Sequence, residues 1–348
     1  MRLDATVREV PWRAPLQASH GLGGRPVRAL VLVRLESADG EIGYGEAAPL
    51  PEYDGVTIES VLDALRVYEV VLGDGAGLSH AELIADCSAA APLPQALAAV
   101  DMALWDLAGQ RAGQPVWALL GSQAAPVLEC NATIGAEDPQ RAAAQARLAV
   151  DGGFSCVKVK VGDADSAARV RAVRAAVGPR IAVRLDANGA WRQDEAVNLL
   201  AGLADVGIEL CEEPVHGVVA LAALRRALPG VVIAADETAA DPDLFKARHC
   251  DSVCLKISRC GGITGVVRDA VAASTAGYDV YLASTLDGPL GIAAALHVAA
   301  LVEPRRPCGL ATLDRFRAPE AIPVRSGLMS PPPGSGLGDR LLGWYEAF

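Results

Sequence analysis

The stretch that decides the fold is Cys156-Val157-Lys158-Val159-Lys160-Val161, in which lysine and valine alternate. This period of two predicts a β-strand with both ammonium groups on one face and the valines on the other. Short runs rich in β-branched residues follow at 181–186, 208–212, 231–236, 252–257 and 279–284. Segments with helical periodicity, such as 193–203 and 262–276, lie between them. Because strands and helices alternate, we predict parallel strands in an α/β fold, closed into a barrel with the lysines inside.

The first 120 residues follow a different pattern. Runs at 27–35 and 41–45 predict two strands joined by the turn Ala38-Asp39-Gly40, and helices are predicted at about 57–72 and 93–113. We therefore expect a separate α+β domain before the barrel. The segment Pro331-Pro332-Pro333-Gly334 predicts a loop in the tail.

The composition excludes some classes of protein. A net charge of -11 disfavours a nucleic-acid partner, because phosphate binding needs clustered Lys and Arg. Eight cysteines without a Cys-x-x-Cys pair predict reduced thiols. The apolar runs are too short for a membrane span, and the charged start Met1-Arg2-Leu3-Asp4 does not resemble a signal peptide. We expect a soluble, cytoplasmic protein with no membrane partner.

Charged residues end the predicted strands at regular intervals. The series is Lys160, Asp186, Glu212, Asp236 and Lys256. Each member follows the previous one by 20 to 26 residues, which is about one strand and one helix. The carboxyl ends of parallel barrel strands converge on one mouth, where barrel active sites lie. Three carboxylates there predict a hard-oxygen site for Mg²⁺, with Mn²⁺ as an alternative.

This set of residues suits the removal of a proton next to a carboxylate. Such a proton is only weakly acidic, so the resulting enediolate needs strong stabilisation by a metal ion bound to the substrate carboxylate. A lysine can serve as the base if its pKa is lowered by a nearby cation. We expect Lys158 to have this effect on Lys160, since like charges disfavour each other's protonation.

The sequence resembles the enolase superfamily, in particular its muconate-lactonizing-enzyme subgroup. The residues that carry the resemblance are Lys158-Val-Lys160, Asp186-Ala-Asn188, Glu212-Glu-Pro214, Asp236-Glu237, Lys256 with Gly261-Gly262, and the helix from Val100 to Gly109. The resemblance implies a modified (β/α)₇β barrel over residues 123–314. It also implies an α+β capping domain over 1–122, to which the tail 315–348 returns.

The resemblance also implies roles at the site. Mg²⁺ would bind Asp186, Glu212 and Asp236, while Lys160 and Lys256 would face opposite sides of a small carboxylate substrate. The supporting residues would be Lys158, Asn188 and Glu237. Loops at 19–24 and 49–53 would close over the site, and the substrate contacts would come from Asn131, Ser284, Asp287 and Tyr53. Homo-oligomers are common in this family, so we expect one here.

Several segments are similar to o-succinylbenzoate synthases, namely 43–51, 131–133, 284–291 and 308–312. This similarity implies a syn-dehydration in the menaquinone pathway, with Lys160 as base and Lys256 as electrostatic stabiliser. A muconate-type cycloisomerase, an N-acylamino acid racemase or a dipeptide epimerase could use the same residues. The segment 309–314 lacks the Asp-x-Asp pair typical of dipeptide epimerases, and 281–285 lacks the histidine of the mandelate-racemase branch.

Two other classes remain open from the residues alone. A Schiff-base aldolase could use Lys160 or Lys256 on an ordinary barrel, but it leaves the three carboxylates unexplained. A non-catalytic protein could keep the fold, because fold does not fix function.

Overall fold

The computed structural model describes residues 1–13, 26–135 and 138–348. Its strands are β1 (Arg2–Pro11), β2 (Val27–Glu36), β3 (Ile42–Ala47), β4 (Leu128–Glu129), β5 (Ala132–Ile134), β6 (Cys156–Lys160), β7 (Ala182–Asp186), β8 (Leu210–Glu212), β9 (Ile233–Ala235), β10 (Ser252–Leu255), β11 (Asp279–Leu282) and β12 (Leu328–Met329). Its α-helices are α1 (Pro51–Asp54), α2 (Ile58–Asp74), α3 (His80–Ala90), α4 (Pro94–Ala112), α5 (Val116–Leu119), α6 (Pro139–Asp151), α7 (Ser166–Val177), α8 (Gln193–Gly202), α9 (Val218–Ala227), α10 (Ile257–Cys260), α11 (Ile263–Thr275), α12 (Pro289–Val302) and α13 (Leu342–Glu346). Within the described ranges, no helix is both long and apolar enough to cross a membrane. All eight cysteines are free thiols.

Strands β5 to β11 form one parallel sheet in which each strand lies beside its neighbour in the chain. The sheet is closed by two residues of the segment that follows α12. Cys308 forms a parallel bridge with Cys130, just before β5, and Gly309 forms one with Ala283, just after β11. The closure supplies an eighth strand position, so the predicted (β/α)₇β barrel is confirmed.

Strands β7 and β8 end where the sequence predicts, whereas β6, β9, β10 and β11 end one or two residues earlier. Strand β9 ends at Ala235, where the prediction runs to residue 236, and β11 ends two residues before its predicted end. Soon after β7, β8 and β11, the chain takes the left-handed conformation at Asn188 (φ 45°), Glu213 (φ 38°) and Leu286 (φ 59°). Such backbone is rare outside glycine and costs energy, so these turns need support from their surroundings. The charged residues therefore lie where the chain leaves the sheet.

An antiparallel sheet of β1, β2 and β3 forms the core of the cap. The predicted cap strands and helices correspond to β2, β3, α2 and α4, whereas β1 and α3 were missed. Strand β1 carries many polar, exposed side chains, which hide its pattern. Helix α3 begins with a capping box formed by Ser79 and Glu82, a sequence signal that could have revealed it. The predicted division at residue 122 stays a prediction.

Helix α4 holds the cap sheet, the barrel and the tail together. A side chain at Gly43 or Gly45 would overlap the carbonyl oxygens of Ala103 and Ala99, so only glycine lets β3 approach this closely. The Asp106 carboxylate of α4 accepts hydrogen bonds from the Tyr44 amide at 2.9 Å and, in the tail, from the Leu337 amide at 2.8 Å. The Asp101 carboxylate accepts one from the Thr264 amide at 3.0 Å, in the first turn of α11.

We expect Gly45→Ala to destabilise the protein by about 1–3 kcal/mol or more, because β3 must move away from α4 to make room. Gly73→Ala is the matched control, since Gly73 lies in α2 with nothing within 4 Å of an added Cβ. The control should be neutral or stabilising by up to about 1 kcal/mol, because alanine favours helix. Urea unfolding measures both, and equal stabilities would contradict the close approach.

A second buried contact attaches the tail to the cap–barrel boundary. Glu46 of β3 accepts a hydrogen bond from the Gly288 amide at 2.7 Å, just before α12, and another from the Tyr345 hydroxyl of α13. Burial, reinforced by the charge of Asp287, raises the pKa of Glu46 to about 8. The protonated carboxyl group is therefore the stable form inside the fold near neutral pH.

This raised pKa predicts a pH-dependent stability. Between about pH 4.5 and 8 the unfolded chain releases the Glu46 proton while the folded chain retains it, so stability falls as the pH rises through this window. The Glu46 contribution is on the order of a few kcal/mol. Urea unfolding at about pH 5 and pH 8 should show a smaller loss of stability for Glu46→Gln than for the wild type. Equal losses would contradict the buried neutral carboxyl group.

Candidate active site

The two lysines of β6 point into the barrel and contact the carboxylates of the next two strands. Lys158 Nζ lies 2.9 Å from Asp186 Oδ2 and 2.5 Å from Glu212 Oε1. Lys160 Nζ lies 2.6 Å from both Asp186 Oδ2 and Asn188 Oδ1. The register explains this geometry, because Lys160 pairs with Asp186 and Asp186 pairs with Glu212 across adjacent parallel strands.

Lys256 stands on the opposite side of the carboxylates. It follows β10, and three strands separate it from β6. Its Nζ lies 2.6 Å from Asp236 Oδ2 and 2.7 Å from the Tyr53 hydroxyl, which itself donates to Asp236 Oδ1 at 3.0 Å. The ammonium group also lies 4.5 Å from the centre of the Tyr53 ring. The cap thus supplies Tyr53 directly to a barrel lysine.

The charges in this cluster control one another's protonation. Burial favours the neutral form of Asp186, but the ammonium groups of Lys158 and Lys160 outweigh it and hold the pKa of Asp186 well below its usual range. Burial likewise lowers the pKa of Lys256, but Asp236 outweighs it and the net pKa is raised. Asp186 and Lys256 therefore both carry their charges in the fold.

The structure shows how Lys158 itself is held. Its predicted effect on the protonation of Lys160 stays a prediction. In the structure, Asp186 and Glu212 outweigh the effect of burial and raise the pKa of Lys158 well above its usual value. Lys158 is therefore held as an ammonium group by carboxylates of the neighbouring strands.

Two of the three predicted metal ligands, Glu212 and Asp236, lie close enough to share a divalent cation. The third, Asp186, is joined to Glu212 through Lys158. All three are buried, and one ammonium group touches both Asp186 and Glu212, so the site already holds positive charge between them. Carboxylate oxygens of Glu212 and Asp236 and the Cys254 thiol lie within 4.8 Å of one another. Burial raises the pKa of Cys254 well above its usual value, and a neutral thiol is a poor ligand. The oxygen donors therefore favour Mg²⁺ or Mn²⁺ over softer metals.

Glu213 and Glu237, which follow two of the carboxylates, form a supporting layer. Glu213 accepts hydrogen bonds from the amides of Asp236 at 2.8 Å and Thr238 at 3.2 Å, which fixes the end of β9. Asn188 donates to Glu237 at 2.9 Å, so this amide links Lys160 to Glu237. Burial and the charge of Asp236 raise the pKa of Glu237 to about 8.

The other predicted substrate contacts lie around the barrel opening without touching the lysine–carboxylate cluster in the described residues. Ser284 Oγ lies 2.9 Å from Thr312 Oγ1, and Asp287 accepts hydrogen bonds from Thr285. Asn131 lies at the closure of the barrel, where its main-chain N–H donates to the Cys308 carbonyl at 2.9 Å. Their contact with substrate stays a prediction, and the predicted loop at 19–24 lies outside the described residues.

Family comparisons agree with this architecture. Residues 2–121 match the model of the mandelate racemase / muconate lactonizing enzyme N-terminal domain, and residues 141–342 match the enolase C-terminal domain-like model. The chain belongs to the mandelate racemase / muconate lactonizing enzyme family of the enolase superfamily. Its relatives in this family include epimerases, racemases and cycloisomerases.

Three relatives illustrate this range of reactions. The chain is 33% identical to a hydrophobic dipeptide epimerase of Enterococcus faecalis over 85% of both proteins. It is 28% identical to an N-succinyl-L-Arg/Lys racemase of Bacillus cereus over 83% of this chain and 81% of that protein. It is 30% identical to a chloromuconate cycloisomerase of a Pseudomonas species over 97% of this chain and 95% of that protein.

Solved structures of the family share the fold. A dipeptide epimerase from Enterococcus faecalis, complexed with Mg and the dipeptide L-Leu-L-Tyr, superposes with a TM-score of 0.87 at 28% identity. The match covers 97% of this chain and 98% of that one. The fold of the family is therefore shared over nearly the whole chain.

Sequence reasoning missed Tyr281, which supports the cluster from inside the barrel. Its hydroxyl donates to Glu212 Oε2 at 2.6 Å, and its ring faces the Arg184 guanidinium at 5.3 Å. Tyr281 lies on β11, and the alternation of that strand could have placed it on the inner face. It fixes Glu212 from the side opposite Lys158.

We expect Tyr281→Phe to weaken Mn²⁺ binding by roughly tenfold, because groups that orient metal ligands contribute about this much to affinity. Calorimetric titration with Mn²⁺ measures the effect. Tyr278→Phe is the matched control, since the Tyr278 hydroxyl donates to the Leu244 and Ala247 carbonyls, away from the carboxylates. Unchanged affinity in a folded Tyr281→Phe variant would contradict the supporting role of Tyr281.

Proposed function

We propose that this chain is a Mg²⁺-dependent racemase of N-acylated α-amino acids, in which Lys160 and Lys256 act as the two acid–base groups. The observation that carries the proposal is the placement of these lysines on opposite sides of one carboxylate cluster. A base on each face of a planar intermediate is what inversion at a carbon requires, since one group removes the proton and the other returns it.

The use of lysine itself supports acid–base chemistry. The chain contains four lysines, and three of them are Lys158, Lys160 and Lys256. Arginine serves as the cation almost everywhere else, and arginine does not lose its proton in proteins. A chain that keeps lysine at these positions keeps a group that can cycle between charged and neutral forms.

The cation would bind Asp186, Glu212 and Asp236. When bound, Mg²⁺ supplies positive charge beside the substrate carboxylate and so favours loss of the neighbouring proton. Lys160 accepts that proton only in its neutral form, so its ammonium group must first give a proton to solvent and release Asp186 and Asn188. Lys256, held protonated beside Asp236 and Tyr53, is placed to donate from the other face.

The wall near the barrel closure favours an N-acyl substrate over one with a free ammonium group. Ser284 and Thr312 form this wall by a hydroxyl contact of 2.9 Å, and Leu310 and Ala311 precede Thr312. Asp314 is exposed, so it offers no buried charge to an ammonium group. Burying an unpaired charge costs several kcal/mol, whereas an acylated nitrogen carries none.

A second candidate is syn-dehydration to o-succinylbenzoate. It is favoured by the segments 284–291 and 308–312, whose sequences are similar to those of the synthases. These two segments adjoin each other, because the main-chain N–H of Ser284 donates to the Gly309 carbonyl at 3.1 Å. In this reaction Lys160 removes the proton and returns it to the departing hydroxyl group, while Lys256 stabilises the anion. The same lysines serve both reactions, so only turnover separates them.

Exchange of the α-proton in D₂O tests the proposal. With Mg²⁺ and N-succinyl-phenylalanine, the wild type should exchange the α-proton of both enantiomers. Lys160→Ala and Lys256→Ala should each lose exchange of one enantiomer, a different one in each variant, by about 100-fold or more, because each face loses its only base. Proton NMR follows the signal.

Lys246→Ala is the matched control, since Lys246 is exposed and pairs only with Asp243 among the described residues. EDTA should abolish exchange in every variant. If neither enantiomer exchanges while the wild type consumes the o-succinylbenzoate precursor, measured by ultraviolet absorbance and lost in Lys160→Ala, the second candidate replaces the first. Exchange that survives loss of both lysines would contradict both.

A further inference from the structure

We propose that Arg28 is a positioning residue that clamps the cap loop before Tyr53 to the barrel loop after β11, and thereby holds the Tyr53 hydroxyl on Lys256. The inference rests on the proposed function in that Lys256 is taken as an acid–base group. It goes beyond that function because Arg28 lies in the cap sheet, on β2, and has no contact with the carboxylate cluster in the described part of the chain.

Arg28 bonds to both loops through main-chain oxygens. Its guanidinium donates to the cap carbonyls of Ala48 at 2.9 Å and of Pro49. On the barrel side it donates to the Thr285 carbonyl at 3.1 Å and the Leu286 carbonyl at 3.2 Å. The residue is only 3% exposed. A planar guanidinium with five donors can serve two loops at once, which a single ammonium nitrogen cannot do as well.

The cap side of the clamp leads directly to Tyr53. Helix α1 begins at Pro51, two residues after Pro49, and the Tyr53 amide donates to the Leu50 carbonyl at 2.7 Å. Because this helix has only four residues, its position depends on the loop that precedes it. Fixing Pro49 therefore fixes where the Tyr53 hydroxyl meets Lys256.

The barrel side of the clamp leads to the same lysine. The Thr285 hydroxyl lies 2.5 Å from the Ser258 hydroxyl, and Ser258 lies in α10, two residues after Lys256. The loop also contains Leu286 in its left-handed conformation, which needs a partner to hold it. Two routes thus run from Arg28 to Lys256.

Lys160 is held by a separate set of groups. Its ammonium group contacts Asp186 and Asn188, and its carbonyl accepts a hydrogen bond from Arg169 at 3.0 Å. None of these groups bonds to Arg28 in the described part of the chain. Loss of the clamp should therefore affect one face of the substrate and spare the other, which general destabilisation would not do.

Carboxyl groups at the boundary between cap and barrel support the buried charge of Arg28. Asp287 and Glu46 are the two carboxyl groups with the largest electrostatic effect on Arg28, and both lie at the boundary between cap and barrel. Burial lowers the pKa of Arg28, and these two groups oppose that effect. Arg28 nevertheless gives its hydrogen bonds to carbonyls, so it acts by geometry as well as by charge.

The test compares Arg28→Met and Arg28→Lys with Arg174→Met. Arg174 also donates to four carbonyls, those of Gly178, Ile181, Val206 and Gly207, but it does so at the amino ends of β7 and β8, away from the mouth. Arg28→Lys keeps the buried charge and loses the planar guanidinium with its several donors, so this variant should fold even if Arg28→Met does not.

We expect both folded Arg28 variants to lose about 10- to 100-fold in α-proton exchange for the N-succinyl-phenylalanine enantiomer that depends on Lys256, since a small misplacement of a catalytic group has this effect. Exchange of the enantiomer that depends on Lys160 should change by less than about threefold, because the groups that hold Lys160 in place do not bond to Arg28 in the described part of the chain. Arg174→Met should treat both enantiomers alike. Equal losses for both enantiomers in Arg28→Lys would overturn the proposal.

A second readout does not need turnover. In protein labelled with 3-fluorotyrosine, the ¹⁹F resonance of Tyr53, assigned through Tyr53→Phe, should shift or broaden in Arg28→Lys and stay unchanged in Arg174→Met. If the wild type exchanges no N-succinyl substrate but this shift occurs, the clamp stands and the proposed function fails. An unperturbed Tyr53 signal would overturn the proposal. An Arg28→Lys variant that does not fold would show that Arg28 supports the whole fold, which replaces the specific positioning of Tyr53 by a general structural role.

Discussion

The burial of lysine ammonium groups among carboxylates is the constraint on which the rest of this structure depends. Lys158, Lys160 and Lys256 each contact a carboxylate at the mouth of the barrel at 2.5–2.9 Å. An uncompensated buried charge costs several kcal/mol, so the contacts must be close and further hydrogen bonds must satisfy the remaining oxygens. Parallel register supplies the closeness, because equivalent positions on adjacent strands bring Lys160, Asp186 and Glu212 side by side.

A barrel alone would leave this cluster open to water, and the cap covers its Lys256 side with Tyr53. Helix α4 sets the position of the cap through its buried carboxylates, which bond to the cap sheet, to α11 and to the tail. Arg28 of β2 and Glu46 of β3 then tie the cap sheet to the loop between β11 and α12. The mouth of the barrel is therefore shaped by contacts between segments that are far apart in the chain.

Distance along the chain also explains what the sequence could and could not predict. The alternating residues of β6 and the repeated spacing of the charged strand ends are local patterns, and they predicted the barrel and the meeting of the lysines with the carboxylates. Tyr281 and Arg28 act across the fold, on Glu212 and on Thr285, so a local pattern could place Tyr281 inside the barrel but could not reveal the partner of either residue. The carboxylates that hold Lys158 likewise lie on other strands. The individual roles of the site residues stay predictions.

The two lysines that we propose as acid–base groups are not equivalent, and this asymmetry bears on which reaction follows proton removal. Lys256 is held between Asp236 and the hydroxyl of Tyr53, and its pKa is raised although burial opposes this. Such a group favours donation of a proton or stabilisation of an anion. Lys160 has one carboxylate and one amide oxygen as side-chain partners. Racemisation in both directions requires Lys256 to become neutral at times, whereas dehydration requires only that it stay charged. In the proposed racemase, Tyr53 and Asp236 must therefore release a proton-free Lys256 in one direction of the reaction, whereas the dehydratase would leave these contacts intact.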